Sequence, residues 1–382
     1  MFEHDVLIIG CGLTGSVIAR QLAENGRKIL ILERRDHIGG NMYDYVDEHG
    51  MLVQKYGPHI FKTDSEEIFS YIHHFEQWDK RKITSGAVIQ GKCVPCPFNF
   101  KSIDAFYSPD DAENLKHKLK AAFPDRHSAT ILELLEHTYE DIRSYADFLF
   151  KNDYEPYTAK MWGISPDLVD KSVLRRVPVR FSYEEGCFEA KYQAVPAHSF
   201  TRFFENLLDH ENIHITLGVN ALDHLSVENN RLMFDGKPVT IPVVYTGAID
   251  ELFGNVFGSL PYRSLRFEWE YSEQANPYPD PLVYLPQEES RTRITEYKSF
   301  LSQDTNGNMY VSEYPLNYVL GGGHDPYYPV LTEQSMNTYA AYKKMADEVQ
   351  GLIVCGRLGD FKYYYMEQAL ARALEISQQM KG

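Results

Sequence analysis

The chain has 382 residues, 43% of them apolar and 24% charged, enough for two or three domains with sizeable buried cores. Its net charge of −16 excludes general binding to nucleic acid or to an anionic membrane surface, yet leaves room for a local arginine cluster to hold a small anion. No apolar run reaches the length of a membrane span. The five cysteines, Cys11, Cys93, Cys96, Cys187 and Cys355, are scattered and odd in number, the pattern of a reducing cytoplasm. The stretch Met1 to Asp5 has no basic region followed by an apolar one, so no signal peptide is expected.

The first element is the β-branched run Val6 to Ile9, a buried strand. Gly10, Gly12 and Gly15 follow in G-x-G-x-x-G spacing. Gly10 allows a tight turn, Gly12 lets backbone approach a pyrophosphate, and Gly15 lets the next helix pack on the strand. That helix is expected from about Thr14 to Asn25, ended by Gly26. A second strand, Lys28 to Leu32, leads to Glu33, a carboxylate placed to bond the ribose hydroxyls of an unphosphorylated adenosine. The E-x(5)-G-G continuation from Glu33 to Gly39 and Gly40 resembles flavoproteins of the glutathione-reductase and amine-oxidase superfamily, which implies FAD rather than NAD. Leu352 to Asp360, a strand followed by glycine, Arg357 and a G-D pair, is expected to return to this domain before a last helix, about Met366 to Met380.

Between these ends the patterns change. Residues 104–172 favour helix, with amphipathic periodicity at Ile131, Leu134, Leu135, Ile142, Tyr145, Phe148 and Leu149. Residues 176–195 and 260–315 alternate like antiparallel strands. The expected fold class is α/β. A discontinuous Rossmann-like FAD-binding domain (1–83, 200–258 and 335–382) carries an inserted helical domain (100–172) and an inserted antiparallel β-sheet (176–199 and 260–334). Cys93 and Cys96 form a C-x-x-C pair with no second pair or histidine cluster, so no metal site is expected.

Ten blocks in order, among them ERRDHIGGNMYD (33–44), KYGPHIFKT (55–63), YTAKMWG (157–163), RRVPVRF (175–181), YRSLRFE (262–268), TRITEYKSF (292–300), EYPLNY (313–318), YYPV (327–330) and GRLGDFKYYYMEQAL (356–370), resemble the bacterial UDP-galactopyranose mutase family. The resemblance runs from about residue 5 to 376. It implies an isomerase that uses reduced FAD without net oxidation to interconvert pyranose and furanose forms of a nucleotide sugar. In the family's proposed mechanism, flavin N5 attacks the anomeric carbon and the nucleoside diphosphate leaves and returns.

The resemblance also implies roles, residue by residue. Arg176 and Arg293 match the arginines that bracket the substrate diphosphate, and Tyr314 and Tyr363 match tyrosines that bond it. Tyr157, Thr158 and Trp162 match nucleoside and sugar positions. His59 matches a histidine beside the flavin, and Arg357 an arginine on its diphosphate. Leu13, Arg34, Gly40, Asn41, Ile60, Tyr365 and Met366 fall at cofactor positions. Four positions depart from the family pattern and are expected to cluster around the substrate: Thr84, a substrate-binding position, in place of asparagine, Cys187 in place of tyrosine, Val283-Tyr284 in place of an asparagine, and Tyr365 in place of aspartate. Both UDP-galactose and a 6-deoxy sugar on thymidine diphosphate, as in dTDP-fucopyranose mutases, stay open as substrate. The resemblance further implies a cytoplasmic homodimer that serves O-antigen or other surface polysaccharide synthesis, with no nucleic-acid or membrane partner. An amine-oxidase-type oxidoreductase is the alternative; it needs a hydride-donor pocket and no diphosphate clamp.

Overall fold

The computed structural model describes residues 3–163 and 177–381. Val6–Ile9 is fully buried because it sits mid-sheet. It pairs in parallel with Ile29–Leu32 on one side, Val6 opposite Ile29, and with Val243–Tyr245 on the other. Ile213–Thr216 and Leu352–Val354 complete a five-stranded parallel sheet at its two edges. Such a sheet is covered on both faces. Val6 and Ile8 enter one apolar cluster, with the helices Leu13–Ala23, Phe200–Leu208 and Met366–Lys381. Leu7 and Ile9 enter another, beneath Ile249–Leu252 and Glu333–Glu348. The first helix stops at Ala23, two residues before the expected end, and the chain turns through Gly26 at φ +79°.

A seven-stranded sheet forms the second layer, in the order Tyr328–Pro329, Tyr262–Ser272, Asn308–Asn317, Arg293–Glu296, Leu282–Tyr284, Ser85–Ile89, Lys92–Pro95. It is antiparallel except where Leu282–Tyr284 runs parallel to Ser85–Ile89. Helices Phe100–Phe106, Pro109–Ala122, Ile131–Leu135 and Glu140–Leu149 pack against one end of it. A π-helical turn, Phe150–Tyr154, leads into Glu155–Trp162.

One expectation about this sheet needs correction. Residues 177–199 do not join it: Val179–Arg180 pairs with Ser128–Ala129, and Tyr192–Pro196 lies between Phe61–Thr63 and Trp78–Lys80. In their place, the segment after Thr84 contributes two strands. Alternation reveals a strand but not its partner.

Asp44 fixes the chain as it leaves the second glycine pair. Its carboxylate accepts the backbone N–H groups of Phe200 (2.7 Å) and Thr201 (2.8 Å), while the Thr201 hydroxyl donates to the Asp44 carbonyl (2.7 Å). The first turn of Phe200–Leu208 is thereby docked under Gly39, where an added Cβ would lie 3.0 Å from the Phe204 ring. Asp44→Ala leaves two buried amides without acceptors. It should cost about 2–3 kcal/mol, read as a lower urea midpoint at unchanged slope.

Candidate functional site

The carboxyl ends of the parallel strands open into a cleft, where ligands of open α/β sheets bind. Gly10 turns the chain at φ +102°, and a Cβ there would strike the Thr246 hydroxyl at 2.1 Å. On Gly40, a Cβ would come within 2.9 Å of the Gly12 Cα. Backbone therefore meets backbone across the cleft. No side chain caps the helix that begins at Leu13, so the N–H groups of its first turn remain for an anion. The cleft has an empty volume of about 1280 Å³, its open mouth included.

Gly10, Gly12, Leu13 and Gly15 form its floor, and Gly40, Asn41 and Met366 line its walls. At one end the buried Glu33 carboxylate is held by the N–H groups of Cys11 (2.7 Å) and Arg35 (2.9 Å). Arg34 also lines the cleft and pairs with Asp325 at 2.7 Å; Arg35 pairs with the same carboxylate at 2.8 Å. Asp325 and the cleft-lining Pro326 had no signal in the sequence. At the other end Arg357 donates to the Tyr364 carbonyl (3.0 Å) and lies over the Tyr328 ring. Glycine contacts that a Cβ would fill, an uncapped helix start, a buried carboxylate at one end and an arginine at the other fit an extended dinucleotide.

Two expected cofactor residues lie off this lining. Ile60 packs on the cluster of Met51, Val53 and Tyr297. Tyr365 stands over the Lys62 ammonium, its ring edge-on to Tyr363. His59 does line the cleft. Gln54 holds its backbone on both sides, and its Nδ1 lies 2.7 Å from the Gly57 carbonyl. A carbonyl only accepts, so Nδ1 carries the proton. Burial, aided by Arg357 and Arg293, pulls the ring pKa down to about 4. His59 is thus neutral at pH 7, with Nε2 an unprotonated acceptor.

Arg293 begins a strand of the seven-stranded sheet and lies close enough to the cleft-lining His59 to act on its charge. Nε and Nη2 donate to Glu313 at 2.9, 2.6 and 2.7 Å. Burial alone would lower its pKa; Glu313, Tyr284, Tyr157 and Tyr328 outweigh that and hold it charged. Tyr157 and Tyr284 meet edge to face at 5.6 Å. Tyr363 stacks on Tyr328 at 5.0 Å and faces Trp162 at 6.1 Å. Thr158 is buried on the same helix as Tyr157 and Trp162. Arg176 lies outside the described residues.

Tyr314 does not join this group. Register pairs Arg293 with Glu313 but Tyr314 with Arg266, and successive strand residues face opposite sides of a sheet. Its ring lies under the Arg266 guanidinium at 4.1 Å, on the outer face. Tyr328 occupies the inner site instead; its signal was the YYPV block, quoted without a role. Thr84 bonds the Asp280 carboxylate, and Cys187 donates to Ser85 Oγ at 3.1 Å. All five cysteines are free, and the described residues contain no cluster able to hold a metal ion.

A family model described as UDP-galactopyranose mutase matches residues 152–363, and one described as NAD(P)-binding Rossmann-like domain matches 8–75. The UDP-galactopyranose mutase of Mycoplasma pneumoniae is 32% identical, over 99% of this chain and 96% of that protein. The dTDP-fucopyranose mutase of Escherichia coli is 33% identical, over 98% of each. A flavin-containing amine oxidase B of Bos taurus matches only 18% of the chain, at 31% identity. A crystal structure of reduced UDP-galactopyranose mutase shares the fold at TM-score 0.71 and 15% identity, covering 99% of this chain and 95% of that one. A putative protoporphyrinogen oxidase from Exiguobacterium shares it at TM-score 0.63 and 14% identity, covering 100% and 99%. With full-length relatives above 30% identity and a family match over more than half its length, the chain belongs to the UDP-galactopyranose mutase family and is an isomerase.

Proposed function

We propose that this enzyme binds FAD in the glycine-lined cleft and, with the flavin reduced, interconverts the pyranose and furanose forms of a nucleotide sugar. The observation that carries this reading is Arg293, a charged guanidinium set among Tyr157, Tyr284 and Tyr328 and near His59, which lines the cofactor cleft. Paired with Glu313 on one side only, the Arg293 fork keeps donors that suit an anionic substrate group better than an amine. The amine-oxidase likeness is confined to 16–18% of the chain.

Reduced FAD would supply the nucleophile for the anomeric carbon. The chain's own residues bind, orient and shield. Arg293, with Arg176, holds the substrate diphosphate, because a departing anion needs fixed positive charge. The Tyr363 and Tyr328 hydroxyls donate to the same group. Tyr157, Thr158 and Trp162 take the nucleoside and sugar side. Glu33 holds the cofactor ribose, Arg34 flanks it, and Arg357 faces the cofactor diphosphate. His59 keeps an unprotonated Nε2 beside the reacting centre. The sugar nucleotide is UDP-galactose or dTDP-fucose, and both kinds of mutase match at nearly equal identity. The enzyme works as a cytoplasmic homodimer in the supply of furanose sugar for lipopolysaccharide O-antigen. No described helix is long and apolar enough to cross a membrane.

The test is anaerobic. Dithionite-reduced protein is incubated separately with UDP-galactopyranose and dTDP-fucopyranose, and furanose product is followed by chromatography and NMR. Conversion of at least one, only when reduced, is expected; conversion of neither rejects the reading for these donors. Arg293→Ala should lower turnover roughly a hundredfold or more with flavin content unchanged, measured by flavin absorbance and product formation. His59 gives a pH signature. Its pKa drops from 6.5 to about 4 on folding, so the unfolded chain binds the extra proton between those values. Its stability contribution is full above pH 6.5 and is lost as pH falls toward 4. His59→Gln should flatten that acid limb in urea midpoints.

A further inference from the structure

We propose that Glu313 is a positioning residue that sets both the aim and the effective charge of the arginine clamp; this rests on the reading of Arg293 as the group that holds the substrate diphosphate. Glu313 is 2% exposed. Both of its carboxylate oxygens are taken by one side of the Arg293 fork, through Nε and Nη2. Among the described residues Nη1 makes no hydrogen bond, so one edge of the guanidinium is left for a ligand. The backbone closes over the pair at Gly57, where φ is +91° and an added Cβ would stand 3.3 Å from Glu313 Oε1 and 3.7 Å from Arg293 Nη2. Strand register makes the pairing rigid: Arg293 and Glu313 are direct cross-strand partners.

Two consequences follow. A guanidinium with one edge occupied offers a ligand a single, fixed direction rather than a swinging fork. The neighbouring carboxylate also cancels most of the positive charge seen from a distance. That matters because the same diphosphate occurs in two states. Bonded to the sugar it carries one charge fewer; on leaving, it takes the C1–O electron pair and gains one. An uncompensated arginine would hold the free diphosphate too tightly and slow its return to the sugar. Stabilisation that deepens a bound state without lowering the barrier does not speed the reaction. Glu313 limits that trap while keeping the donor aimed.

The test uses flavin-loaded protein, with UDP and dTDP as probes, binding followed by flavin fluorescence, and turnover on whichever sugar nucleotide the wild type converts. In Glu313→Gln the amide retains the shape but loses the charge, and its NH2 faces a donor. UDP or dTDP should bind about five- to tenfold more tightly, while kcat falls about tenfold or more and KM falls with it. Glu313→Asp restores the charge but not the reach. It should return the affinity to the wild-type value and leave kcat low, which separates charge from aim. Unchanged affinity and unchanged kcat in Glu313→Gln overturn the proposal. So does loss of flavin and thermal stability in step with activity in both variants, since that is the behaviour of a merely structural residue. If Arg293→Ala leaves UDP and dTDP affinity at the wild-type value, the underlying assignment of Arg293 fails, and that result is distinct from either outcome at Glu313.

Discussion

Everything at this site depends on the close approach of Gly12 and Gly40 across the end of the central strand. Parallel strands deliver their carboxyl ends to one edge of the sheet. Val6–Ile9 delivers Gly10, Ile29–Leu32 delivers Glu33, Val243–Tyr245 delivers Thr246, and Leu352–Val354 leads into Gly356 and Arg357. These segments are far apart in sequence and converge only because the strands share a direction. The glycines then keep side chains out of the space a dinucleotide needs. Asp44 is the counterpart behind the cleft: by capping Phe200–Leu208 it holds the second glycine pair against the first.

The second sheet brings charge to that edge at a cost that the fold offsets locally. A buried guanidinium requires a partner, and Glu313 supplies it. Lys160 is treated in a similar way. Its ammonium donates to the carbonyls of Leu285 (2.6 Å), Glu288 (2.6 Å) and Arg291 (2.8 Å), and burial lowers its pKa to about 8. This cage ties the helix bearing Tyr157 and Trp162 to the loop that runs into Arg293. The aromatic wall and the clamp thus share one anchor, even though strand and helix come from separate parts of the chain.

How much of this was legible in the sequence follows from how local each feature is. The strand, the glycine spacing and Glu33 lie within one short stretch, and they could be read from residue types alone. Arg293, Tyr157 and Trp162 carried no local pattern; they were reached through block-by-block resemblance. Tyr314 shows the limit of that route. It sits beside Glu313 in the sequence, but strand alternation sends the two side chains to opposite faces. Glu313 and Asp325 were missed for the converse reason. A single carboxylate in a strand or loop looks like surface until register or a salt bridge shows what it touches. Likewise, the strand near Tyr192 was readable, but its neighbours Phe61–Thr63 and Trp78–Lys80 were not.

Of the four departures from the family pattern, Thr84, Cys187 and Tyr284 share neighbours, and Tyr365 stands apart. Cys187 and Tyr284 lie in the surroundings of Arg293. Thr84 bonds Asp280, a carboxylate that also acts on Cys187, while Tyr365 lies at Lys62. A thiol is smaller than a phenol and a poorer hydrogen-bond donor; Cys187 directs what donor capacity it has to Ser85. Tyr284 adds an apolar ring whose edge-to-face contact fixes Tyr157. The wall beside the clamp is therefore more apolar than a tyrosine and an asparagine would make it. An apolar wall discriminates weakly by itself, because one methyl or hydroxyl is worth only about 1–3 kcal/mol against such a surface. Strong selection between a hydroxymethyl and a methyl sugar, or between a ribose and a deoxyribose, requires a polar group left unpaired by the wrong ligand. In the proposed reading Arg293 cannot make that distinction, since every nucleoside diphosphate would present it with the same group. In that reading, strong discrimination of the sugar and of the ribose comes from polar atoms around Arg293 rather than from Arg293 itself.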